Sequence, residues 1–166
     1  MGVAGTGKST VGAALALALG LAFVEGDAYH PASNVQRMAA GIPLTDADRA
    51  PWLNTLAARL REAGQVGAGV VMACSALKRS YREVLRGGSA GVIFIYLHGD
   101  RGLLARRLAQ RHQHFMPASL LDSQLAALEP PTPEERAWTY DIGLSPRSIV
   151  ASLLERIGAE KAATPR

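Results

Sequence analysis

The sequence predicts a three-layer α/β/α domain around a central parallel sheet, and three observations predict it. Short apolar runs alternate with longer helix-periodic segments from one end of the chain to the other. The apolar runs lack polar alternation, as strands buried on both faces do. A glycine-rich segment, Gly2-Val3-Ala4-Gly5-Thr6-Gly7-Lys8-Ser9, fits the phosphate-loop pattern G-x-x-x-x-G-K-[ST] at each fixed position and opens the first helical stretch. With 166 residues, 48% apolar and 19% charged, the chain holds one ordinary domain, 1–166, with a core of its own.

The elements follow in order. A helix is expected at about Lys8–Leu19, closed by Gly20, and then a strand at Ala22–Glu25. A second helix, Ser33–Ala40, stops at Gly41. Thr45 with Asp48 makes a capping-box pattern before a helix at Asp46–Glu62, on which Leu53, Leu56 and Leu60 share a face. The run Val70–Cys74 reads as a strand, with Ser75 expected to cap a helix at Ala76–Arg86 that Gly87 ends. A strand at Val92–Leu97 and helices at Gly102–Arg111 and Ala118–Leu128 come next. Pro130, Pro131 and Pro133 form a stiff connection to a last strand, Thr139–Ile142, and a last helix, Arg147–Ile157. No internal repeat or low-complexity tract interrupts the pattern.

The glycines of the phosphate-loop pattern let successive N–H groups point inward at phosphate oxygens, and the helix beginning at Lys8 adds its positive end. Lys8 is expected to reach the β- and γ-phosphates of a nucleotide, and Ser9 to place its hydroxyl on Mg²⁺. Such a loop ordinarily follows a buried strand, and only Met1 precedes Gly2. A strand of ~5 apolar residues at ~1.5–3 kcal/mol each contributes about 7–15 kcal/mol of burial, which rivals a whole domain's ~5–15 kcal/mol. The expectation is therefore that the natural start lies upstream of Met1.

Composition narrows the function. The net charge of +4 and pI near 9.6 suit an enzyme for anionic substrates, and no block of like charge forms a nucleic-acid-binding arm. The single Cys74 permits no disulfide within the chain and no Cys-rich zinc site, which fits the reducing cytoplasm. The apolar run from Val11 to Val24 is shorter than the ~20 residues a membrane-spanning helix needs. Lys8 followed by Val11–Leu19 has the outline of a secretory leader, but the phosphate loop and its helix account for the same residues. His112 and His114 lack the further ligands that would complete a zinc site.

Glu25-Gly26-Asp27 ends the first strand, so both carboxylates fall at the sheet's C-terminal edge, where open α/β folds bind ligands. A carboxylate there can hold Mg²⁺ or accept a proton from an attacking hydroxyl. Motor-type ATPases carry an Asp after a second apolar strand, whereas here Val70–Cys74 runs into Ser75-Ala76-Leu77-Lys78.

The chain resembles the gluconokinase family, within the shikimate-kinase-like group of small phosphate-loop kinases. The resemblance covers almost the whole chain. It rests on the loop, Gly26-Asp27, His30-Pro31, Asn34, Pro43-Leu44, Asp46, Asp48-Arg49 and Pro51-Trp52-Leu53. It continues through Cys74-Ser75-Ala76-Leu77-Lys78, Tyr81-Arg82, Arg107-Leu108, Arg111, His114-Phe115-Met116 and Ser123-Gln124. Glu25 stands where the family more often has Asp. The resemblance implies a phosphate-loop NTPase fold with five parallel strands, the first largely missing here, and a helical lid at about 107–125. It also implies ATP with Mg²⁺, gluconate as acceptor and 6-phosphogluconate as product, and it suggests a homodimer.

On that basis Lys8, Asp27 and Arg111 are the expected catalytic residues, with Asp27 orienting the acceptor hydroxyl and taking its proton. ATP is expected on Gly2, Val3, Ala4, Gly5, Thr6, Gly7, Lys8, Ser9 and Thr10, with Arg107 and Arg111 over its phosphates and Ser145-Pro146 against the adenine. Ser9, Glu25 and Asp27 are the expected metal ligands. A guanidinium suits the substrate carboxylate, so Arg49 and Arg82 are candidates, beside His30 and Lys78 for hydroxyl or phosphate contacts. Trp52, Trp138 and Cys74 read as packing. Rival readings are a shikimate or other sugar-acid kinase of this fold, a non-catalytic nucleotide-binding regulator and a nucleic-acid enzyme.

Overall fold

The computed structural model describes residues 1–110 and 119–163. The order is α1 (Lys8–Leu19), β1 (Ala22–Glu25), a 3-10 turn (Gly26–Tyr29), α2 (Ala32–Ala39), α3 (Asp46–Gln65) and β2 (Val70–Ala73). Then follow α4 (Arg79–Gly88), β3 (Phe94–His98), α5 (Arg101–Ala109), α6 (Ser119–Ala127), β4 (Ala137–Asp141) and α7 (Pro146–Ala163). These elements make the α/β, parallel-stranded fold the sequence predicts.

The strands pair in parallel as β1 with β2 and β3 with β4, in registers that set Ala22 beside Val70 and Phe94 beside Ala137. Met1 and Gly2 lie between the two pairs. Met1 donates through its nitrogen to the Ile95 carbonyl and accepts from the Leu97 N–H at 2.9 Å, which is parallel-ladder bonding for a single residue. Gly2 donates to the Ser75 carbonyl at 3.1 Å, just past β2. Met1 thus lies where a strand leading into the glycine-rich loop is expected.

Strand residues alternate between two cores. Ile95, Leu97 and Val71 pack with α1, α5 and α7 through Leu15, Leu104 and Leu153. Phe94, Tyr96 and Met72 pack with α3 and α4 through Trp52, Leu56 and Leu85. This period-two division gives helices on both faces of the strands. A third cluster, Met38, Leu44 and Leu120, joins α2, the segment before α3 and α6.

Helix ends follow the side chains available. Gly20 closes α1 at φ 66°, and Thr45 and Asp48 form the full reciprocal box at the start of α3. The expected Ser75 cap is not made. Ala76 takes φ 45°, a left-handed conformation that interrupts the helix there, and α4 begins only at Arg79. Gly87 lies within α4, and Ser89 follows its end.

Candidate active site

The glycine-rich loop has the backbone its sequence calls for. Gly2, Gly5 and Gly7 have φ of 136°, 84° and 87°. A Cβ on Gly2 would lie 2.4 Å from the Leu97 carbonyl, so only glycine fits against β3. Helix α1 begins with no side-chain cap and no acidic residue in its first turn. Its amide groups and positive end are therefore left for an anion. Inside the loop the Val3 carbonyl accepts from the Thr6 hydroxyl at 2.9 Å and the Lys8 ammonium at 3.1 Å, which folds Lys8 back over the loop.

Two hollows meet at this loop. The larger, about 420 Å³, brings Lys8 and Ser9 together with Glu25, Asp27, His30, Arg49 and Lys78. These residues come from four separate stretches of sequence. The smaller, about 310 Å³, takes Thr6 and Thr10 on one side and Arg107 and Pro146 on the other. Gly5 and Gly7 line both. Arg107 donates to the Ile142 carbonyl at 2.9 Å, which fixes α5 against the end of β4. Leu144 and Pro146, not Ser145, line this second hollow. The Ser145 hydroxyl instead accepts from the Ser148 N–H at 3.0 Å at the start of α7, a capping bond that accounts for its position.

Glu25 ends β1 and Asp27 lies one residue into the following turn. The turn is fixed from outside by Trp52, whose indole N–H donates to the Gly26 carbonyl at 2.8 Å. His30 stacks on the Trp52 ring at a centroid distance of 4.1 Å. Burial pushes the imidazole below its ordinary pKa, against a smaller opposing pull from Asp27.

The opposite wall is an ionic cluster. The Lys78 ammonium donates to both Asp46 oxygens, at 2.7 and 2.8 Å, and the Tyr81 hydroxyl donates to the same carboxylate. The bond from Lys78, then that from Tyr81, holds the Asp46 carboxyl below its ordinary range. Lys78 is accordingly neutralised by a neighbour. Arg49 lies 5.9 Å from the Tyr81 ring centroid and makes no ion pair among the described residues. Asp46 and Tyr81 entered the sequence reading only through the family pattern. What marks them as part of the wall is the approach of the α3 and α4 starts, which no local signal reveals.

Arg82 is not where a substrate ligand must be. It is 1% exposed and lines neither hollow. Its guanidinium makes a two-bond pair with Glu135, itself 4% exposed. It also donates to the carbonyls of Ala76, Leu77 and Glu129 at 3.1, 3.2 and 2.9 Å. Glu135 matches its charge and the three carbonyls all accept from Nη1, so Arg82 braces the segment between β2 and α4. Burial pushes the Cys74 thiol up to about 12, in keeping with a packing role.

Over the loop, the Ala4 N–H donates to the Gln124 side-chain oxygen at 2.7 Å, and Leu120, Ser123 and Gln124 of α6 line the larger hollow. Arg111, His112, His114 and Met116 lie outside the described residues. Among the described residues no three His, Cys, Asp or Glu side chains cluster as a metal cage, and no helix is long and apolar enough to cross a membrane.

A family profile described as an AAA domain matches residues 1–131. The chain is 51% identical to the gluconokinase of Gluconobacter oxydans, over 96% of this chain and 90% of that one. A crystal structure of a gluconokinase from Sinorhizobium meliloti superposes with TM-score 0.83 at 45% identity, over 96% of this chain and 94% of that one. An unliganded sugar kinase from Janibacter superposes with TM-score 0.92 at 42% identity, over 100% of this chain and 96% of that one. With a phosphate loop, strand-end carboxylates and an arginine gathered around one hollow, and likeness of this extent to both sequences and structures, the chain belongs to the gluconokinase family of phosphate-loop kinases.

Proposed function

We propose that the protein transfers the γ-phosphoryl group of ATP to a hydroxyl of D-gluconate, giving 6-phospho-D-gluconate. The observation that carries this is the larger hollow, in which the phosphate loop faces Asp27 across a space also lined by Arg49. Phosphoryl transfer has a loose transition state, so catalysis consists mainly of alignment and neutralisation of charge.

The loop amides and Lys8 hold the triphosphate, and the second hollow, with Arg107 and Pro146, takes the nucleoside end. Ser9, Glu25 and Asp27 offer a hydroxyl and two carboxylates to the same space, a donor set of hard oxygens that suits Mg²⁺ with its remaining waters. When bound, the ion supplies positive charge to the phosphates. Asp27 orients the acceptor hydroxyl and takes its proton. Arg49 binds the substrate carboxylate, because Asp46 already occupies Lys78. Lys78 and Tyr81 hold Asp46 with a lone pair available to a sugar hydroxyl. Helix α6 lies over the loop as part of a cover for a single-domain enzyme. The same reading puts the enzyme in the cytoplasm, where ATP is held.

The test is ADP release with Mg²⁺-ATP over a panel of gluconate, its epimers, other sugar acids and shikimate. Gluconate is expected to give the highest kcat/KM. Turnover on another acceptor with none on gluconate would refute the substrate assignment.

A further inference from the structure

One indole touches His30, which lines the larger hollow, and the residue just before Asp27, the proposed base. Trp52, early in α3, is completely buried. Its N–H donates to the Gly26 carbonyl at 2.8 Å, and its ring lies against the His30 imidazole, with centroids 4.1 Å apart and planes 15° apart. Gly26 is the residue before Asp27. A Cβ there would sit 2.4 Å from the Ala73 carbonyl, so the Gly26 backbone is pressed between the end of β2 and the indole. The His30 N–H closes the turn by donating to the Asp27 carbonyl at 3.3 Å. On its buried side the His30 ring has no hydrogen bond: Nδ1 is enclosed without a partner. What orients that ring is therefore the stack on Trp52.

We infer that Trp52 is a positioning residue for the transfer, setting Asp27 through the Gly26 carbonyl and His30 through the stack, so that a single side chain aligns both groups with the acceptor. This rests on the reading of Asp27 and His30 as substrate-facing. It goes beyond packing because the bonded carbonyl and the stacked ring belong to the one turn that carries the proposed base. A tryptophan that only filled the core would matter to stability and leave the turnover of each folded molecule unchanged.

The test uses the full chain in two arms. In the first, Trp52→Phe keeps a stacking ring and loses the N–H bond. Turnover is counted per nucleotide-binding site, so that unfolded protein does not enter. A lost N–H bond that acts on alignment should lower kcat roughly 3- to 10-fold, with KM for ATP within about twofold. In the second, Trp138→Phe leaves Trp52 as the sole tryptophan of the two in the chain. Gluconate added without ATP should shift its emission, and His30→Ala in that background should abolish the shift. Per-site kcat of Trp52→Phe within twofold of the parent overturns the inference. So does Trp52 emission that ignores gluconate at concentrations saturating turnover. If Trp52→Phe fails to fold, the emission arm decides alone. Absence of gluconate turnover in the parent chain is a different result, and overturns the functional reading on which the inference stands.

Discussion

Replacing Arg82 by Met should cost stability on a scale set by its surroundings. Arg82 and Glu135 are 1% and 4% exposed, and two parallel bonds join them. Met fills much of the volume and removes the charge. Glu135 is then a buried carboxylate that keeps the Thr132 N–H at 3.1 Å as a donor, and the Ala76 and Glu129 carbonyls lose their bonds to the guanidinium. Breaking a buried pair from one side costs about 3–5 kcal/mol, against a total domain stability of ~5–15 kcal/mol. With a urea slope of about 1–3 kcal/mol/M, the unfolding midpoint should fall by roughly 2 M. The double variant Arg82→Met with Glu135→Leu leaves no orphan charge and should recover much of that loss. The sign with pH is also fixed. Bonding to Arg82 holds the Glu135 carboxyl below its ordinary pKa of about 4.5. The pair's contribution is therefore complete above about pH 4.5 and disappears as pH falls through the lower folded value. The gap between parent and Arg82→Met should narrow on acidification. A single variant whose midpoint lies within about 0.3 M of the parent, on the same urea scale, would refute the keystone role of this pair.

The other predictions concern the site walls. Arg49→Ala should raise KM for gluconate about 10- to 100-fold, the loss of a charge-assisted bond of ~1.5–3 kcal/mol, while KM for ATP stays within about twofold. Steady-state kinetics with each substrate varied checks this, and an unchanged gluconate KM would move the carboxylate elsewhere. Cys74, 5% exposed and with its thiol pushed up to about 12, should resist iodoacetamide at pH 8 until urea unfolds the chain. Rapid labelling of the native protein would contradict its burial.

Much of the fold was legible because its signals are local. Apolar runs mark β1 to β3, the last strand begins at Ala137 and not at the expected Thr139, and the capping box at Thr45 and Gly20 at the end of α1 mark helix ends through chemistry a few residues long. Ser75 misled for the same reason. The residue type suits a cap, but the Ser75 and Leu77 carbonyls accept from the distant Gly2 and Glu129 N–H groups, and α4 starts later. In the site, the loop pattern located Lys8 and Ser9, and the strand end located Glu25 and Asp27, which the structure brings to one hollow. Arg82 could not be placed from sequence, because its partner is 53 positions away, just past a proline-rich connection. Trp52 reads in sequence as one more apolar residue on the buried face of α3. Only the fold puts its N–H on the turn that carries Asp27.

Phosphoryl transfer here depends on a phosphate cradle and the Asp27 carboxylate lining one hollow, the cradle binding and the carboxylate acting on the acceptor. The direct measurement is to pair nucleotide affinity with turnover in Asp27→Asn. The expected result is an ATP Kd within about threefold of the parent and a gluconate-dependent kcat lower by ~10²-fold or more. Turnover close to that of the parent, with the nucleotide still bound, would contradict it.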